Sequence, residues 1–161
     1  MKRILIIVLV LLAGVYFTAS ASKEKKKKVK STTTYVTATE NGKTATYKDT
    51  YEEYDKLGNS VLKIEYHKDG SIDKKQTARY DNLGNKIEEI DYHANGTIQK
   101  KTVMTYNAAG DRATEVVSDG SGKLMKKIVY TYNTKELKAT RQTLNNLNVQ
   151  ESLKKWEYTY Y

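Results

Sequence analysis

The sequence predicts an all-β protein built as one antiparallel meander of β-hairpin repeats. The main observation is a fixed period, because five tyrosines recur at intervals of 26 residues: Tyr54, Tyr80, Tyr106, Tyr132 and Tyr158. Two glycine series keep the same interval: Gly58, Gly84 and Gly110, then Gly70, Gly96 and Gly122. A period in this range indicates a repeat architecture. Thr, Val, Tyr and Ile dominate the repeats and the chain has no proline, which is typical of short strands joined by tight turns.

The N-terminal segment predicts export. Lys2 and Arg3 precede an apolar run over residues 4–17, and Ala19-Ser20-Ala21 offers the small residues that signal peptidase requires. We therefore interpret residues 1–21 as a signal peptide, since the apolar run is shorter than the roughly 20 residues that span a bilayer. The lysine-rich run over residues 23–28 would hinder export, so an uncleaved membrane anchor is the alternative. The expected location is the periplasm, the cell surface or the surrounding medium.

Composition divides the rest of the chain in two and restricts its chemistry. Residues 22–34 are rich in lysine and threonine without apolar periodicity, which predicts a flexible basic linker before a repeat domain over residues 35–161. The absence of cysteine excludes disulfides, thiolate zinc sites and a lipid-anchored lipoprotein. Loss of the leader would lower the net charge from +9 to +7, which still favours anionic partners. Export makes nucleic acid an unfavoured partner. The alternative is that the lysines only keep a β-rich protein soluble.

Two kinds of turn are predicted to alternate along the repeats. Two-residue type I′ hairpins need positive φ at both positions, which the Asx-Gly dipeptides accept. These occur at Asn41-Gly42, Asp69-Gly70 and Asn95-Gly96, with a weaker version at Ser121-Gly122. The sequences YDKLGN, YDNLGN and YNAAGD, at residues 54–59, 80–85 and 106–111, instead predict an Asx turn followed by a glycine bulge. Each unit of 26 residues is then one hairpin.

The turns fix a strand register that charge pairing supports. Opposite charges directly across an antiparallel pair are favourable. The register gives such pairs in two units but not in the third: Glu65 with Lys74, Asp91 with Lys100, and Val117 with Lys126. Neither face is purely apolar, which predicts a twisted single sheet that is thinly packed on both sides, and the sequence leaves open whether it closes on itself.

The C-terminal part of the repeat domain allows two interpretations. Leu137, Leu144 and Leu147 have a spacing that fits one face of a helix, so residues 134–155 could be helix or strand. Tyr158 keeps the phase of the tyrosine series, which favours strands. We therefore predict strands through the final WEYTYY, ending in an exposed aromatic strand. Such a strand is an edge for a partner or for self-association.

The turn sequences carry a resemblance to a known family. At YDKLGN and YDNLGN, each followed by an apolar or aromatic strand and an Asx-Gly turn, the chain resembles the YD repeats of RHS-type proteins. The resemblance covers residues 54–111 well and residues 132–161 poorly. It implies an exported or surface-associated β structure, in a family whose repeats wind into a shell around a C-terminal toxic segment. Some of its members have been linked to carbohydrate binding. The units here are too few to close a shell, so the resemblance implies the hairpin repeat and an extracytoplasmic setting, and not toxin delivery.

Candidates for catalysis and metal binding are few. His67 and His93 are the only histidines and lie one period apart, which places them roughly 10 Å apart on neighbouring hairpins, too far to share one ion. No arrangement of hydroxyl, histidine and carboxylate recurs, and the Asx-Gly turns lack the alternating carboxylates of a calcium loop. We therefore expect no enzymatic activity, no metal and no cofactor.

The candidate ligand-binding residues are the repeated tyrosines and one lysine from each repeated pair. The tyrosine ladder would have rungs roughly 10 Å apart, on which alternate sugars of an extended glycan could stack, or its rings could pack on turn backbone. The ladder is Tyr54, Tyr80, Tyr106 and Tyr132. Lys74 and Lys100 face acids, which leaves a freer stripe for an anionic polymer: Lys75, Lys101 and Lys127. The alternative is that these lysines are gatekeepers against aggregation.

These patterns predict an exported, non-enzymatic repeat protein that binds carbohydrate or another anionic envelope polymer along its sheet. The alternative is a structural or assembly protein that associates through exposed sheet edges, with itself or with a partner.

Overall fold

The computed structural model describes residues 28–161, so the predicted signal peptide and the first part of the predicted linker lie outside the described residues. The described chain forms one antiparallel sheet in which every strand pairs with its neighbour in sequence. The ten strands are β1 (Ser31–Glu40), β2 (Lys43–Tyr54), β3 (Ser60–Tyr66), β4 (Ile72–Tyr80), β5 (Lys86–Tyr92), β6 (Ile98–Tyr106), β7 (Arg112–Asp119), β8 (Leu124–Tyr132), β9 (Lys138–Asn145) and β10 (Gln150–Lys155).

The predicted all-β meander of hairpins is confirmed. The predicted charge register is confirmed as well, because Glu65 lies opposite Lys74 and Asp91 lies opposite Lys100. Within residues 28–161, β1 and β10 do not pair with each other, so the sheet is open. The same residues contain no helix that could cross a membrane. Strand β1 begins at Ser31, so residues 31–34 belong to the sheet although the sequence assigned them to the linker.

The turns differ from the prediction in an informative way. Only Asn41-Gly42 has positive φ at both positions, 50° and 74°, as a type I′ hairpin requires. The turns at Asp69-Gly70, Asn95-Gly96 and Ser121-Gly122 were predicted to share this geometry, and that prediction is wrong, because only their glycines have positive φ. They use the same five-residue bulged turn as YDKLGN.

The bulged turn recurs eight times in the described chain. In each, the fourth residue donates its N–H to the first carbonyl, and the first residue donates its N–H to the fifth carbonyl. The first residues of the eight turns are Asp55, His67, Asp81, His93, Asn107, Asp119, Asn133 and Asn145. The fourth residue adopts positive φ in all eight, and it is glycine in six; the exceptions are Glu136 and Asn148. A left-handed residue at this place forms a G1 bulge that matches the right-handed twist of the strands.

Six of these turns begin with an Asp or Asn whose side chain closes the loop. The Oδ1 of Asp55 accepts hydrogen bonds from the backbone N–H of Leu57 at 2.8 Å and of Asn59 at 2.9 Å. Hydrogen bonds from Asn59, from its side chain first and its backbone next, hold the pKa of the Asp55 carboxyl below its ordinary value. The two remaining turns begin with His67 and His93, so these histidines occupy equivalent places at strand ends.

One face of the sheet holds the whole small core, and we call it the packed face. Directly opposed residues share a face, and successive residues of a strand alternate between faces. By this rule the register places all five buried side chains of the described chain on one face: Thr102, Met104, Val117, Ile128 and Thr143. The other side of the sheet is the opposite face. Since residues 28–161 supply no second layer over either face, the burial comes from neighbouring side chains of the sheet itself.

The repeated tyrosines fasten successive strands at one end of the sheet. In four of the five, the tyrosine hydroxyl donates to the carbonyl of the residue 20 positions earlier, which is the first residue of the preceding strand. Tyr80 donates to Ser60 at 3.1 Å, Tyr106 to Lys86 at 2.8 Å, Tyr132 to Arg112 at 2.9 Å and Tyr158 to Lys138 at 2.9 Å. Tyr54 differs, because its hydroxyl donates to the carboxylate of Glu52.

The C-terminal region is strand and not helix. Strands β9 and β10 cover most of the segment for which the sequence allowed both. The predicted strand through WEYTYY is wrong beyond Lys155, where β10 ends. The Trp156 N–H still donates to the Ala139 carbonyl at 3.1 Å, and Tyr158 keeps its place in the tyrosine series. The outermost C-terminal strand is therefore QESLKK, which is polar and exposed.

Replacement of Glu136 by glycine is expected to stabilise the fold. Glu136 adopts φ of 60° at a place where six of the eight turns have glycine, and a left-handed conformation costs a residue with a Cβ about 1 kcal/mol. Urea unfolding should show a higher midpoint for Glu136→Gly. The matched control is Lys135→Gly in the same turn, where φ is not positive. An equal or lower midpoint for Glu136→Gly than for the control would contradict the expectation.

Removal of one tyrosine hydroxyl is expected to weaken the sheet. Tyr106→Phe deletes the hydrogen bond to the Lys86 carbonyl, and such a bond contributes about 1 kcal/mol to the free energy of unfolding. Tyr35→Phe is the control, since Tyr35 is 64% exposed. If both variants unfold at the same urea concentration, the Tyr106 hydroxyl does not fasten the strands.

Candidate functional site

Charged side chains cover much of the packed face, and from β3 to β7 the cations are paired with carboxylates. Lys74 lies 3.2 Å from the Glu65 carboxylate, and Lys100 lies 2.6 Å from Asp91. The other pairs are Lys63–Glu65 at 2.7 Å, Lys86–Glu89 at 2.8 Å and Arg112–Glu115 at 2.8 Å. On β3 to β7, the cations of the packed face therefore meet carboxylates on the same or a neighbouring strand, whereas Lys48 on β2 contacts the Tyr66 hydroxyl.

The 26-residue period shows where this compensation ends. The acids of one series are Glu65 and Asp91, and the next members are Val117 and Thr143. The acids of a second series are Glu89 and Glu115, and the next member is Arg141. Lys126 meanwhile continues the cation series of Lys74 and Lys100, although Val117 now stands opposite it. The decay of the charge pattern at Val117 thus leaves cations without acids.

The result is a group of three cations on strands β8, β9 and β10, which we call the basic cluster: Lys126, Arg141 and Lys154. None of them forms an ion pair with a carboxylate in residues 28–161. Arg141 and Lys154 lie directly opposite each other, an arrangement of like charges that destabilises a sheet unless an anion intervenes.

Arg141 is held in place by neutral partners. Its Nε donates to the Tyr130 hydroxyl at 3.4 Å, and its guanidinium donates to Thr143 Oγ1 at 3.3 Å. The Tyr130 hydroxyl in turn donates to Glu115 at 2.9 Å, and Glu115 is paired with Arg112. Arg141 therefore lies half-buried on the packed face with neutral hydrogen-bond partners and no ion pair within residues 28–161.

A shallow cavity of about 330 Å³ opens beside the basic cluster. Five cations and two carboxylates contribute to its lining: Lys86, Lys100, Arg112, Lys126 and Arg141, with Glu89 and Glu115. A larger cavity of about 600 Å³ lies near the start of β4 and the end of β5, lined by three lysines and three carboxylates: Lys63, Lys74 and Lys75, with Glu65, Asp73 and Asp91. Of these two cavities, only the smaller has more cations than carboxylates in its lining, so it is the better place for an anion.

The predicted stripe of Lys75, Lys101 and Lys127 lies on the opposite face, as the register requires. Two of its members are less free than the sequence suggested. Lys101 lies 2.7 Å from the Glu88 carboxylate, and the Lys75 ammonium lies 5.0 Å from the centre of the Tyr92 ring. Glu88 lies two residues from Ile90, which is directly opposite Lys101, so this ion pair is diagonal. Lys127 stands between Val116 and Leu144.

The predicted tyrosine ladder exists, with its rings at one end of the packed face. Three of the four predicted residues, Tyr80, Tyr106 and Tyr132, use their hydroxyls to hold backbone carbonyls. Side-chain packing on turn and strand backbone, which the sequence left as the alternative to glycan stacking, describes these contacts. The histidines are both exposed, and the described residues contain no group of three or more acidic or histidine side chains able to hold a metal ion.

Comparison with known proteins identifies a similar fold but gives no information about the activity. No protein-family model and no curated protein matches the chain. Among solved structures, a chain of the crystal structure of TcdB2-TccC3-Cdc42 is similar over 81% of this chain, with a TM-score of 0.59 and 16% identity. This chain covers 6% of that one. At this identity, the similarity shows a shared sheet fold and no more.

Two further structures match weakly. The crystal structure of TarM matches 76% of this chain, and the match covers 21% of the TarM chain, with 17% identity and a TM-score of 0.31. A mutant of S. aureus TarM in complex with fondaparinux, alpha-GlcNAc-glycerol and UDP matches 71% of this chain. The match covers 22% of the mutant's chain, with 15% identity and a TM-score of 0.29. TM-scores this low carry no argument about the fold or the function of this chain.

Acid is expected to weaken the paired half of the packed face. Hydrogen bonds from Lys63 and then Lys74 hold the pKa of Glu65 below its ordinary value, which is about 4.3. A lowered pKa contributes stability that is complete above the unfolded value and is lost as pH falls through the folded value. Urea midpoints should therefore fall for the natural chain between neutral pH and about pH 3.

The variant Glu65→Gln isolates this contribution. It should be less stable than the natural chain near neutral pH and should lose less stability on acidification, so that the two curves approach each other in acid. Parallel curves over the whole pH range would show that the Glu65 ion pairs contribute nothing.

Proposed function

We propose that this chain is an exported, non-enzymatic repeat protein whose packed face binds an anionic polysaccharide or another anionic envelope polymer at the basic cluster. The observation that carries the proposal is that Lys126, Arg141 and Lys154 have no ion pair within residues 28–161, whereas the cations on the packed face of β3 to β7 meet acids. The export and the absence of catalysis rest on the sequence patterns alone.

The geometry suits a polymer better than a small anion. Arg141 and Lys154 lie directly opposite each other, and Lys126 lies one strand away and four residues along, so the three cations extend about 10 Å across the sheet and about 13 Å along it. Arg141 offers a planar fork of donors that matches a carboxylate or sulfate group, whereas the lysines act as point charges. The cavity next to the cluster is open to solvent along the sheet. Successive acidic sugars of one extended chain could therefore contact successive cations.

The basic cluster is a stronger candidate than the predicted stripe for a physical reason. An anion that binds Lys101 must compete with Glu88 at 2.7 Å, whereas no described carboxylate pairs with Lys126 or Lys154. Arg141 and Lys154 also gain from any anion placed between them, because it relieves their mutual repulsion. Both sets carry three positive charges, which makes them suitable for a matched comparison.

The experiment is retention on immobilised heparin, titrated with salt, for two charge-matched triple variants. One variant is Lys126→Gln with Arg141→Gln and Lys154→Gln, and the other is Lys75→Gln with Lys101→Gln and Lys127→Gln. Exposed ion pairs contribute roughly 0.2–1 kcal/mol each, so loss of the cluster should weaken binding roughly tenfold. The stripe variant should bind within about twofold of the natural chain, since two of its lysines already have partners.

A third variant lacking residues 23–30 measures what the N-terminal lysines contribute. Circular dichroism and unfolding midpoints confirm that each variant is folded. Loss of binding in the stripe variant, with the cluster variant unaffected, would move the site to the opposite face. Loss only in the variant without residues 23–30 would remove the sheet from polymer binding altogether.

A further inference from the structure

The first hairpin extends beyond the rest of the sheet. Strand β3 pairs with β2 only from Thr50 to Tyr54, whereas β1 pairs with β2 along its whole length, to Glu40 and Lys43 at the turn. Residues 35–49 therefore form a two-stranded segment to which no other strand of residues 28–161 adds, and we call this segment the arm. Two contacts tie its sides to the next hairpin: Lys48 to the Tyr66 hydroxyl at 2.9 Å, and Lys68 to the Glu40 carboxylate. A hairpin of two strands alone is marginally stable in water.

The arm has two free edges among the described residues, which are β1 and residues 43–49 of β2. The β2 edge carries Lys43, Lys48 and Asp49, whereas β1 lacks most of the usual protection against strand pairing. Soluble proteins protect sheet edges with charges, prolines, bulges or short strands. Residues 31–39 contain no charged side chain and no proline, and β1 is ten residues long. The register shift in the β1–β2 pair lies between Thr34 and Tyr35, so residues 36–40 pair regularly with β2. Most of its side chains are exposed. The other edge strand, β10, is six residues long, contains Glu151, Lys154 and Lys155, and has an irregular register near Gln150.

The two strands of the arm carry the same Thr-Ala-Thr run at directly opposed positions. Thr37, Ala38 and Thr39 of β1 lie opposite Thr46, Ala45 and Thr44 of β2. The threonine hydroxyls are hydrogen-bonded across the strands at 2.8 Å and 2.9 Å. A second β1, arriving antiparallel on the free side, presents the same Thr-Ala-Thr run that β2 presents on the paired side. The same threonine rows could then continue across the new contact.

The backbone of β1 is oriented for this contact. Glu40 and Lys43 flank the two-residue turn, so their backbone groups bond to each other. In an antiparallel pair, such residues alternate with residues whose backbone groups point away. The N–H and C=O of Thr37 and Thr39 therefore point to the free side. In the register that aligns the two Thr-Ala-Thr runs, Thr37 of one copy exchanges hydrogen bonds with Thr39 of the other, and the two Ala38 residues meet at the two-fold axis.

We propose that two copies of this chain associate through their arms, β1 against β1, in an antiparallel and two-fold symmetric contact. The contact joins two ten-stranded sheets into one continuous sheet and, because the interface is isologous, it stops at the dimer. The proposal is independent of polymer binding, although a dimer would present two basic clusters to one polymer.

The sharpest test is cysteine cross-linking of the full chain, because the natural sequence has no cysteine. Opposed residues of this non-hydrogen-bonded type have Cα atoms about 4.5 Å apart, within the range that a disulfide spans. Ala38→Cys should therefore give a covalent dimer in high yield under mild oxidation. Glu40→Cys is the matched control, since the two copies of residue 40 would be about 13 Å apart along the strands and should not cross-link.

Two proline variants check the edge without any disulfide. Thr37→Pro removes an outward N–H and costs β1 no hydrogen bond to β2, a substitution that edge strands tolerate. The corresponding change on β10 is Leu153→Pro, because the Trp156 N–H bonds to Ala139 and residue 153 therefore points outward. Light scattering should show a concentration-dependent dimer for the natural chain and for Leu153→Pro, over roughly the micromolar range expected of a small interface. Thr37→Pro should be monomeric over that range.

Other results would overturn the proposal. A natural chain that stays monomeric, or an Ala38→Cys variant that remains uncross-linked, rules out the contact of β1 with a second β1. Loss of association in both proline variants, without cross-linking at residue 38, would indicate a head-to-tail contact of β1 with β10. Retention of the dimer in Thr37→Pro would place the interface elsewhere.

Discussion

The bulged turn is the constraint on which the structure depends. Each of the eight turns places one residue in the left-handed conformation, and the bulge that follows sets which residues of the two strands are opposed. Because side chains alternate between faces, a slip of one residue would move every side chain of a strand to the wrong side. The turn therefore places Met104, Val117 and Ile128 on the packed face, and it aligns Glu65 with Lys74 and Asp91 with Lys100.

A single layer makes ordinary polar interactions unusually important. Only five side chains are buried in the described chain, so little apolar area is removed from water. Tyrosine hydroxyls, Asx side chains and ion pairs supply contacts between neighbouring strands, at intervals that follow the repeat. In such a sheet, a cation without an opposed acid contributes no ion pair, and two directly opposed cations lower the stability of the sheet. The basic cluster is where the chain retains cations under those conditions, and this contrast supports a role in binding.

The two proposals assign different parts of the sheet to different tasks. Polymer binding uses side chains of β8, β9 and β10 on the packed face, whereas association uses the backbone of β1 at the other end of the sheet. Neither contact obstructs the other, because six strands, β2 to β7, lie between β1 and β8, the nearest strand of the basic cluster. A pair of sheets joined at β1 would carry its two basic clusters at its outer ends, which suits a polymer long enough to reach both.

The sequence by itself determined the all-β class, the 26-residue hairpin, the antiparallel order and the opposed charges, because all of these follow from turn residues and alternation. It also marked Val117 as the place where the charge pattern fails. It predicted the wrong turn geometry for Asp69-Gly70, since both geometries accept glycine and the choice depends on the twist of the flanking strands. Only the tertiary structure decided that Lys101 is paired with Glu88 across a diagonal, that the tyrosine hydroxyls reach carbonyls 20 residues away, and that the first hairpin extends past its neighbour. Each of these depends on how far a side chain or a strand reaches in three dimensions, which spacing along a sequence does not contain.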